Sequence, residues 1–378
     1  MAVKDFDFTN AVSYHTGAFP PKHIRLEAIL PPLMAATATL ARYDEMLRTM
    51  INSQLLLAPL RRQDAVSSSR MEGTISTLED VYRLEAEIDN ASPDPYREAR
   101  DDDIEVYLYS RALRLAQEAM LAGQPLSEHL IRSAHQTLLG FGRGAKHDPG
   151  AYKTQQNYVG DTIRNAVHYI PIAPEHLGSG MQNLFAYIAD KEALPLVRTA
   201  IAHVEFEALH PFQDGNGRIG RMLITLMLWH LGLIRQPHFF VSGYFETHKA
   251  EYVDRMRAVS EKGGWTEWVC FFLTALDAQG RYNIETAEEI SALYAAMREQ
   301  FRAELSNQWY DRALDYVFAN PVFRNDRFVA VSGVPETSAR VMTRKLVEVG
   351  LLRTLEAPSG RRAALYAFDP LLKLLQNR

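Results

Sequence analysis

Segments with helical periodicity occupy most of this sequence and constrain its fold more than any other feature. Through residues 33–60, apolar side chains such as Leu40, Tyr43 and Leu47 recur at intervals of three and four, which is the spacing of one face of an α-helix. Further helices are predicted directly after residue 73, at about 101–123, at 126–139, from 180 onward and around 284–306. The chain is therefore expected to be mainly α.

Two stretches break the helical pattern. NASPDPY, at residues 90–96, combines turn-forming residues and marks a boundary. Residues 140–180 are rich in Gly, Pro and Asn and contain only short apolar runs. That composition is typical of loops, and the stretch from roughly Gln156 to Ile170 is predicted to form one β-hairpin.

The last segment, residues 321–378, differs from the rest of the chain. It is predicted to form a helix, a tight turn at Ser332–Gly333, a second helix and two short strands joined by APSGRRA, an order that suggests a small winged helix-turn-helix domain. The segment carries ten Lys and Arg against five Asp and Glu, whereas the whole chain has a net charge of −5. The predicted parts are an N-terminal helical region (1–95), a central domain (96–280) and a linker helix with the winged-helix domain (281–378).

Composition excludes several classes of protein. With 47% hydrophobic and 23% charged residues, the chain has an ordinary globular composition, and its negative charge argues against wholesale binding of nucleic acid. The single cysteine, Cys270, excludes a disulfide framework and a Cys-based zinc site. The sequence shows no apolar run long enough to span a membrane and no signal-peptide core. We therefore expect a cytoplasmic protein with no membrane partner.

The stretch HPFQDGNGRIGR concentrates polar chemistry directly before a long apolar run. Glycines at the first turn of a helix let a ligand approach the unpaired backbone N–H groups, so the helix N-terminus becomes an anion site. Gly215, Asn216 and Gly217 supply such a turn. Arg218 and Arg221 lie on one helix face, where two guanidinium groups can clamp successive phosphates. The predicted ligand is therefore a polyphosphate.

A carboxylate and an imidazole flank this turn. Asp214 directly precedes it, where a carboxylate either caps the helix or holds a hard cation such as Mg2+ that is shared with the phosphates. His210 ends the preceding predicted helix and can accept a proton from an incoming hydroxyl. Together the two residues suggest transfer chemistry on a phosphate.

Three other interpretations of this stretch are less well supported. GNGRIG matches the dinucleotide pattern G-x-G-x-x-G, but no apolar strand precedes it and no acidic residue stands about 20 positions beyond it. Walker A and kinase signatures are absent. A metal site made from His203, His210 and Asp214 is conceivable by spacing, but His203 is expected to face a helix interior.

The same twelve residues resemble the Fic motif, HPFx[D/E]GNGRxxR, at every specified position. The resemblance extends to GAYKTQQNYVG and AVHYIPIAP, which are similar to the stretch with the family's target-binding flap, and to the flanks HVEFEALHPF and GGWTEWVCFFL. It covers about residues 25–280. It implies an all-helical Fic core with a short β-hairpin flap that transfers AMP from ATP to a hydroxyl of a target protein.

The resemblance also implies a role for each residue of the motif. His210 would be the general base that deprotonates a Ser, Thr or Tyr of the target, and Asp214 would hold Mg2+ between the α- and β-phosphates. Fixed donors to the charge on the α-phosphate each matter by about 10²–10³ in rate. The implied ATP-binding residues are Gly215, Asn216, Gly217, Arg218 (β-phosphate) and Arg221 (γ-phosphate).

Several functional details stay open at this level. Fic-like proteins that phosphorylate their targets depart from the second glycine and the arginines of the motif, all of which this sequence keeps, so AMP transfer is favoured. UMP and phosphocholine donors remain alternatives, as does a DNA-binding regulator whose Fic core only senses nucleotide. Family members often dimerise, so a homodimer is expected, and self-modification is considered beside an unidentified target protein.

SSRMEG resembles the family's inhibitory signature [S/T]xxxE[G/N], with Ser68, Glu72 and Gly73 at its fixed positions. In that interpretation Glu72 pairs with Arg221, so ATP cannot seat its γ-phosphate in the line of attack. The letters from Ser69 to Glu72 also fit a capping box at a helix start. Because the complete Fic motif is present, we favour inhibition.

Two further surfaces are assigned to partners. The flap edge is expected to align an extended target segment by backbone hydrogen bonds, with a hairpin merely packed on the core as the alternative; its residues are Asn165, Ala166, Val167, His168, Tyr169 and Ile170. For the winged helix, DNA binding and docking or dimerisation on protein are both considered. The residues that would meet DNA phosphates are Arg340, Arg344, Lys345, Arg361 and Arg362.

Overall fold

The computed structural model describes residues 6–376, except for positions 51, 90–95, 97–98, 162–164 and 361. The described part is mainly helical, as predicted. None of its helices is both long enough and apolar enough to cross a membrane. The helices are α1 (Leu26–Thr49), α2 (Ser53–Met71), α3 (Leu78–Asp89), α4 (Asp101–Leu121), α5 (Glu128–Leu138), α6 (Pro174–Ala189), α7 (Pro195–Leu209), α8 (Asn216–His230), α9 (Ser242–Thr247), α10 (Lys249–Lys262), α11 (Trp265–Leu305), α12 (Tyr310–Ala319), α13 (Asn325–Val331), α14 (Glu336–Glu348) and α15 (Asp369–Gln376).

Two small sheets accompany the helices. The first has the strand order β1-β3-β2 and the second the order β4-β6-β5. In the first sheet β3 is antiparallel to β2, which confirms the predicted hairpin, and parallel to β1, which the sequence did not indicate. The strands are β1 (Val12–Ser13), β2 (Val159–Asp161), β3 (Ala166–Ile170), β4 (Val322–Arg324), β5 (Leu352–Glu356) and β6 (Leu365–Phe368).

The chain forms two compact units. The first comprises the described parts of Met1–Glu45, Ser67–Gly73 and Leu108–Arg281. Its core includes α7 and α8, which are buried on nearly every face. Besides their apolar side chains they bury polar ones, among them His203, Glu205 and Arg221. The second comprises the described parts of Met46–Val66, Thr74–Tyr107 and Tyr282–Arg378. One of its apolar clusters joins Tyr82, Ala86, Val322, Leu365, Ala367 and Leu372.

The helix boundaries near the N-terminus differ from the prediction. The single helix expected over 33–60 is wrong, because α1 ends at Thr49 and α2 begins at Ser53. The helix predicted to start directly after residue 73 begins only at Leu78. Pro59 lies inside α2, which continues to Met71. Gly73, with φ of +99°, follows the end of this helix in a conformation that favours glycine.

The capping box is therefore contradicted, since a capping box needs a helix start. Ser68 and the three residues that follow it lie in the last turn of α2. In the C-terminal segment the predicted helix, turn, helix and two strands are present as α13, α14, β5 and β6, and β4 joins the hairpin as a third strand. The winged-helix assignment and the three-part division of the chain stay predictions.

Candidate active site

The twelve-residue motif forms the turn between α7 and α8. His210, at the end of α7, adopts a left-handed conformation with φ of 47°, and Gly215 adopts φ of 79° directly before α8. Between them the Asn216 side chain closes the turn, because its Oδ1 accepts from Phe212 N–H and its Nδ2 donates to Phe212 O, both at 2.8 Å. The turn therefore leads directly into the N-terminus of α8, where unpaired amides are expected.

A buried lysine and an asparagine support this turn from the loop before β2. Asn157 Nδ2 donates to His210 O (3.1 Å) and Phe212 O (2.8 Å). Lys153 Nζ donates to Asn157 Oδ1 (2.8 Å) and to Leu209 O (3.1 Å). Only 4% of Lys153 is exposed, so these bonds replace the water that its ammonium has lost. Sequence analysis did not single out either residue.

His135, on α5, holds the turn on another side. Its Nδ1 accepts from Gly150 N–H at 2.8 Å, so its Nε2 donates to Asp214 O at 2.9 Å. Its ring stacks on Phe212, with the centroids 3.7 Å apart. Burial lowers the pKa of His135 to about 4, which keeps the ring neutral and this bonding pattern fixed at neutral pH.

The imidazole of His210 has the neutral state that a general base would need. Burial, followed by the nearby Lys153 ammonium, lowers the pKa of His210 to about 4, so the imidazole is neutral at neutral pH. Its Nδ1 lies 3.4 Å from Glu207 O. When Nδ1 carries the proton toward that carbonyl, Nε2 keeps its lone pair and can accept a proton.

Asp214 and Arg218 lie at the mouth of the turn. Asp214 Oδ1 accepts from Gly215 N–H at 2.6 Å and lies 3.6 Å from Arg218 Nη2. The Asp214 side chain is 44% exposed, whereas that of Arg218 is 3% exposed. Mg2+ usually needs only one or two protein carboxylates when substrate phosphates share it, so the exposed carboxylate of Asp214 fits that ion. No group of three His, Cys, Asp or Glu side chains among the described residues forms a ready-made metal site.

Ser68 and Glu72 both lie against Arg221. Arg221 Nε donates to Ser68 Oγ, and Nη2 donates to Ser68 O, each at 2.8 Å. Nη2 also donates to Glu72 Oε1 at 2.7 Å. Three acceptors from Ser68 and Glu72 thus occupy the guanidinium that was predicted to bind the γ-phosphate. Gly73, the third residue of the inhibitory signature, directly follows Glu72 in the chain.

The Glu72 carboxylate carries its charge in this pairing. Burial alone would raise its pKa, but the Arg221 guanidinium outweighs that effect and holds the pKa of Glu72 below its usual value. The carboxylate also packs against α8, since a Cβ at Gly217 would lie 2.3 Å from Glu72 Oε1. A side chain at position 217 would therefore displace the Glu72 carboxylate from its present place.

Glu207 is a site residue that the sequence analysis did not identify. It lies one helical turn before His210, and a Cβ at Gly220 would lie 2.1 Å from its Oε1. That oxygen has no hydrogen-bond partner within the described part of the chain. Burial raises the pKa of Glu207 to about 7, with a smaller opposing effect of Arg221. Helical spacing from His210 was the signal that could have found it.

His203 does not join His210 and Asp214 in a metal site. It is fully buried. Its Nδ1 lies 2.9 Å from Gly220 O and its Nε2 lies 2.8 Å from the Tyr252 hydroxyl, so both ring nitrogens are engaged. Burial lowers the pKa of His203 to about 3. As expected from the sequence, it faces the protein interior, where it links α7 to α8 and α10.

Of the predicted flap residues, Ala166 to Ile170 form β3, and Asn165 directly precedes this strand. β3 pairs with β2 on one edge and with the N-terminal part of this chain on the other. Asp7, which precedes β1 in the chain, forms an isolated parallel bridge with Ala166. The edge expected to receive a target segment is therefore already occupied in this structure.

The basic residues of the C-terminal segment are largely engaged. Arg344 is exposed, and Arg361 lies outside the described residues. The other three contact carboxylates: Arg340 with Glu336 (2.9 Å), Lys345 with Glu304 (3.7 Å) and Arg362 with Glu87 (3.2 Å). These ion pairs reduce the charge available to a DNA backbone.

Comparisons with known proteins agree with this geometry. The sequence model of the Fic/DOC family matches residues 125–228, and that of the Fic/DOC family N-terminal region matches residues 30–118. The chain belongs to the Fic/DOC family. The protein adenylyltransferase fic-1 of Caenorhabditis elegans is 31% identical over 105 residues, which are 27% of this chain and 19% of that protein. The protein adenylyltransferase Fic of Nematostella vectensis is 33% identical over 105 residues, or 27% and 22%. The match thus spans about a fifth of these relatives.

Solved structures share the fold. A Fic family protein from Desulfovibrio desulfuricans has a TM-score of 0.55 at 23% identity, over 92% of this chain and 98% of that one. A Fic-domain signalling protein from Bacteroides thetaiotaomicron has a TM-score of 0.54 at 20% identity, over 67% and 97%. At these identities the likeness shows the fold alone.

Proposed function

We propose that this protein is an adenylyltransferase that moves AMP from ATP to a Ser, Thr or Tyr hydroxyl of a target protein. The observation that carries the proposal is a partly buried His210, neutral at neutral pH, next to a glycine-opened helix N-terminus with two buried arginines. The names of the curated relatives support the same activity.

In the proposed reaction, Nε2 of His210 takes the hydroxyl proton as the oxygen attacks the α-phosphorus. An oxygen–phosphorus bond to the target forms, the bond from the α-phosphorus to the bridging oxygen breaks, and pyrophosphate leaves. Backbone amides at the start of α8 would face the charge that develops on the α-phosphate, and the side chain of Asn216 would act by holding the turn in shape through Phe212. Arg218 holds the β-phosphate and Arg221 the γ-phosphate, which aligns the leaving group with the attack.

Asp214 would hold Mg2+ together with the substrate phosphates. The ion would offset phosphate charge when it is bound. The partly exposed carboxylate of Asp214 next to Gly215 is the feature that supports this assignment.

We also propose that Ser68 and Glu72, which lie just before the turn at Gly73, inhibit the enzyme. Their contacts with Arg221 remove the expected γ-phosphate partner. ATP bound without that partner would misalign its α-phosphorus, and near-attack geometry is worth several orders of magnitude in rate. Anything that displaces Glu72 would restore the reaction.

Labelling with radioactive ATP and Mg2+ tests both proposals. Glu72→Gly is expected to raise AMP transfer, including self-modification, by about tenfold or more, since ATP could then use the freed guanidinium. His210→Ala in that background is expected to abolish transfer. Glu246→Gly is the matched control, because Glu246 pairs with Arg70 of α2, at 2.9 Å, rather than with Arg221. Equal labelling by the parent and Glu72→Gly would contradict the inhibitory role.

The same assay separates the remaining alternatives. Labelled UTP and CDP-choline test other donors, and ATP binding without transfer in Glu72→Gly would favour a nucleotide sensor. Homodimer formation, a cytoplasmic location and DNA binding by the C-terminal segment stay predictions. A salt-dependent mobility shift of duplex DNA by the full chain would test the last of these.

A further inference from the structure

The inhibitory segment, defined as residues 67–73, is a short piece of chain with both of its flanks in the second unit. Ser67–Gly73 belongs to the first unit, where Glu72 accepts from Arg221. The described parts of Met46–Val66 before it and of Thr74–Tyr107 after it belong to the second unit. The position of Glu72 therefore depends on the contact with Arg221 and also, through the backbone, on what fixes the two flanks.

The two flanks are joined to each other within the second unit. Arg62, in the part of α2 that precedes the inhibitory segment, pairs with Glu85 of α3 at 2.6 Å. Its guanidinium also lies over the ring of Tyr82 on α3, 4.9 Å from the ring centroid. Both members of the ion pair are largely buried, so this contact holds α2 against α3.

The stretch that connects the inhibitory segment to α3 is bonded to its surroundings. Ser76 Oγ donates to Asp103 Oδ1 of α4 at 2.6 Å. Arg100 Nη2 lies 3.3 Å from the same oxygen and 4.0 Å from Asp80 Oδ2 of α3. Thr77 Oγ1 donates to Asp80 Oδ2 at 2.6 Å, directly before α3 begins. A stretch of a few residues that is bonded in this way has little slack, so a movement of α3 reaches the inhibitory segment.

The C-terminal segment, residues 321–378, holds α3 near both of its ends. Arg353 on β5 pairs with Glu79, in the first turn of α3, at 3.1 Å. In the last turns of α3, Glu87 accepts from Nε of the buried Arg324, on β4, at 2.9 Å. The apolar cluster between these ion pairs comprises Tyr82, Ala86, Val322, Leu365, Ala367 and Leu372.

We infer that the C-terminal segment sets the strength of the inhibition, because its hold on α3 fixes the inhibitory segment, with Arg353 and Glu79 as positioning residues for Glu72. The role of Glu72 as an inhibitor rests on the proposed function, whereas the link from the C-terminal segment to residues 67–73 does not. A change that loosens α3 from the C-terminal segment thereby frees Arg221.

A charge-swap cycle tests this link. Arg353→Glu and Glu79→Arg each replace attraction by repulsion at a pair whose arginine is 46% exposed. Each single variant is expected to raise labelling with ATP at least about threefold over the parent, since a modest loss of hold on Glu72 shifts a two-state equilibrium by that much. The double variant restores opposite charges and is expected to label nearly like the parent.

Arg298→Glu is the matched control. It makes the same change of charge at another exposed ion pair of the second unit, the pair with Asp311 at 2.8 Å, which does not involve α3. It is expected to label like the parent. In the Glu72→Gly background, Arg353→Glu is expected to give no further rise, because the inhibitory contact is already lost.

Hydrogen exchange of the backbone amides of residues 67–77 gives a second readout, which does not depend on activity. Exchange is expected to be faster in Arg353→Glu and in Glu79→Arg than in the parent, and to slow again in the double variant. The return in the double variant separates loss of the ion pair from general damage to the fold.

Several outcomes would overturn the inference. They are unchanged exchange in both single variants, unchanged labelling in both while Glu72→Gly labels strongly, an equal rise in labelling for Arg298→Glu, or an undiminished effect of Arg353→Glu in the Glu72→Gly background. Faster exchange in the single variants with no AMP transfer by any variant, Glu72→Gly included, would contradict the proposed function and support the link between the C-terminal segment and residues 67–73.

Discussion

At the scale of single residues, the protonation state of His210 decides whether the site contains a base. Burial and Lys153 act on it in the same direction, because both disfavour an imidazolium. Burial also lowers the pKa of Lys153 to about 7, so this ammonium is charged in the acidic range where His210 titrates. Lys153 thus positions the turn through its bonds to Leu209 O and Asn157. Its positive charge also helps to keep His210 unprotonated.

Lys153→Met is expected to raise the pKa of His210 from about 4 toward its usual value. Under the proposed function, transfer requires neutral His210, so activity is lost as pH falls through this pKa, and the acidic limb of the pH profile should move to higher pH. The measurement is the rate of labelling between about pH 4 and 8 in the Glu72→Gly background. Lys153→Arg keeps the cation and is the control. An unmoved limb in Lys153→Met would count against the electrostatic role.

Glu207 gives a stability prediction with a defined sign. Burial raises the pKa of Glu207 to about 7 from 4.5, so the folded state holds this proton more tightly than the unfolded state. Ionisation therefore costs stability as pH rises from the unfolded value through about 7. Glu207→Gln is expected to stabilise the protein by about 1–3 kcal/mol at pH 8 and by much less at pH 4, as measured by urea unfolding. The exposed Glu288→Gln is the control, and an equal gain at both pH values would contradict the prediction.

At the scale of elements, the contact between α7 and α8 carries the site. Gly220 lets α8 approach Glu207 and His203 closely, with a Cβ at position 220 lying 3.3 Å from His203 Cε1. The ring of His203 is then held in place by the hydrogen bond from its Nδ1 to Gly220 O. The glycine thus allows close packing and exposes a carbonyl to the histidine.

Gly220→Ala is expected to destabilise the protein by about 1–2 kcal/mol through overpacking. Glu207→Ala should recover part of this loss, because it removes the nearest atom, and a double-mutant cycle of urea unfolding measures the coupling. Gly178→Ala, on α6, is the control, since a Cβ there meets nothing within 4 Å. It is expected to be neutral or stabilising by up to about 1 kcal/mol. Additive losses for Gly220→Ala and Glu207→Ala would contradict the proposed contact.

Element types were more predictable than element ends. Periodicity identified the helices at α4 and α5 and the hairpin of β2 and β3, because local sequence determines them. It missed the break between α1 and α2, which falls inside the segment predicted to be one helix. β1 escaped prediction because Val12 and Ser13 have no pattern of their own and form a strand only by pairing with Tyr169 and Ile170.

At the scale of the whole molecule, buried charge organises the second unit. Arg324 on β4 is 1% exposed. Its Nη2 donates to Glu87 Oε1 on α3 and to Glu356 Oε2 on β5, both at 2.5 Å. One guanidinium thus joins a helix and a strand that are far apart in sequence.

Arg324→Leu is expected to destabilise the protein by about 2–4 kcal/mol, because it removes the buried partner of two carboxylates, which then keep only the half-exposed Arg362. Urea unfolding of the full chain, followed by circular dichroism, provides the measurement. Arg298→Leu is the control, since its pair with Asp311 is largely exposed and exposed pairs contribute little to stability. Similar losses for both variants would show that burial does not set the cost.

What the sequence could predict about the site also depends on distance along the chain. The twelve-residue motif is local, so its chemistry was readable directly. The approach of Ser68 and Glu72 to Arg221 was anticipated only through the family signature. Lys153 and Asn157 act through backbone carbonyls of α7 and the turn after it, and such contacts leave no residue pattern in a single sequence.

The carboxylate of Glu72 lies where a side chain at Gly217 would have to go. Under the proposed function, the same space must later admit a nucleotide, so any substitution there blocks entry as well as releasing the arginine. Constitutively active variants are therefore expected at Ser68, in the last turn of α2, or at Glu72, just after it. They are not expected at the glycines of the turn. A genetic selection for gain of activity would reveal that asymmetry.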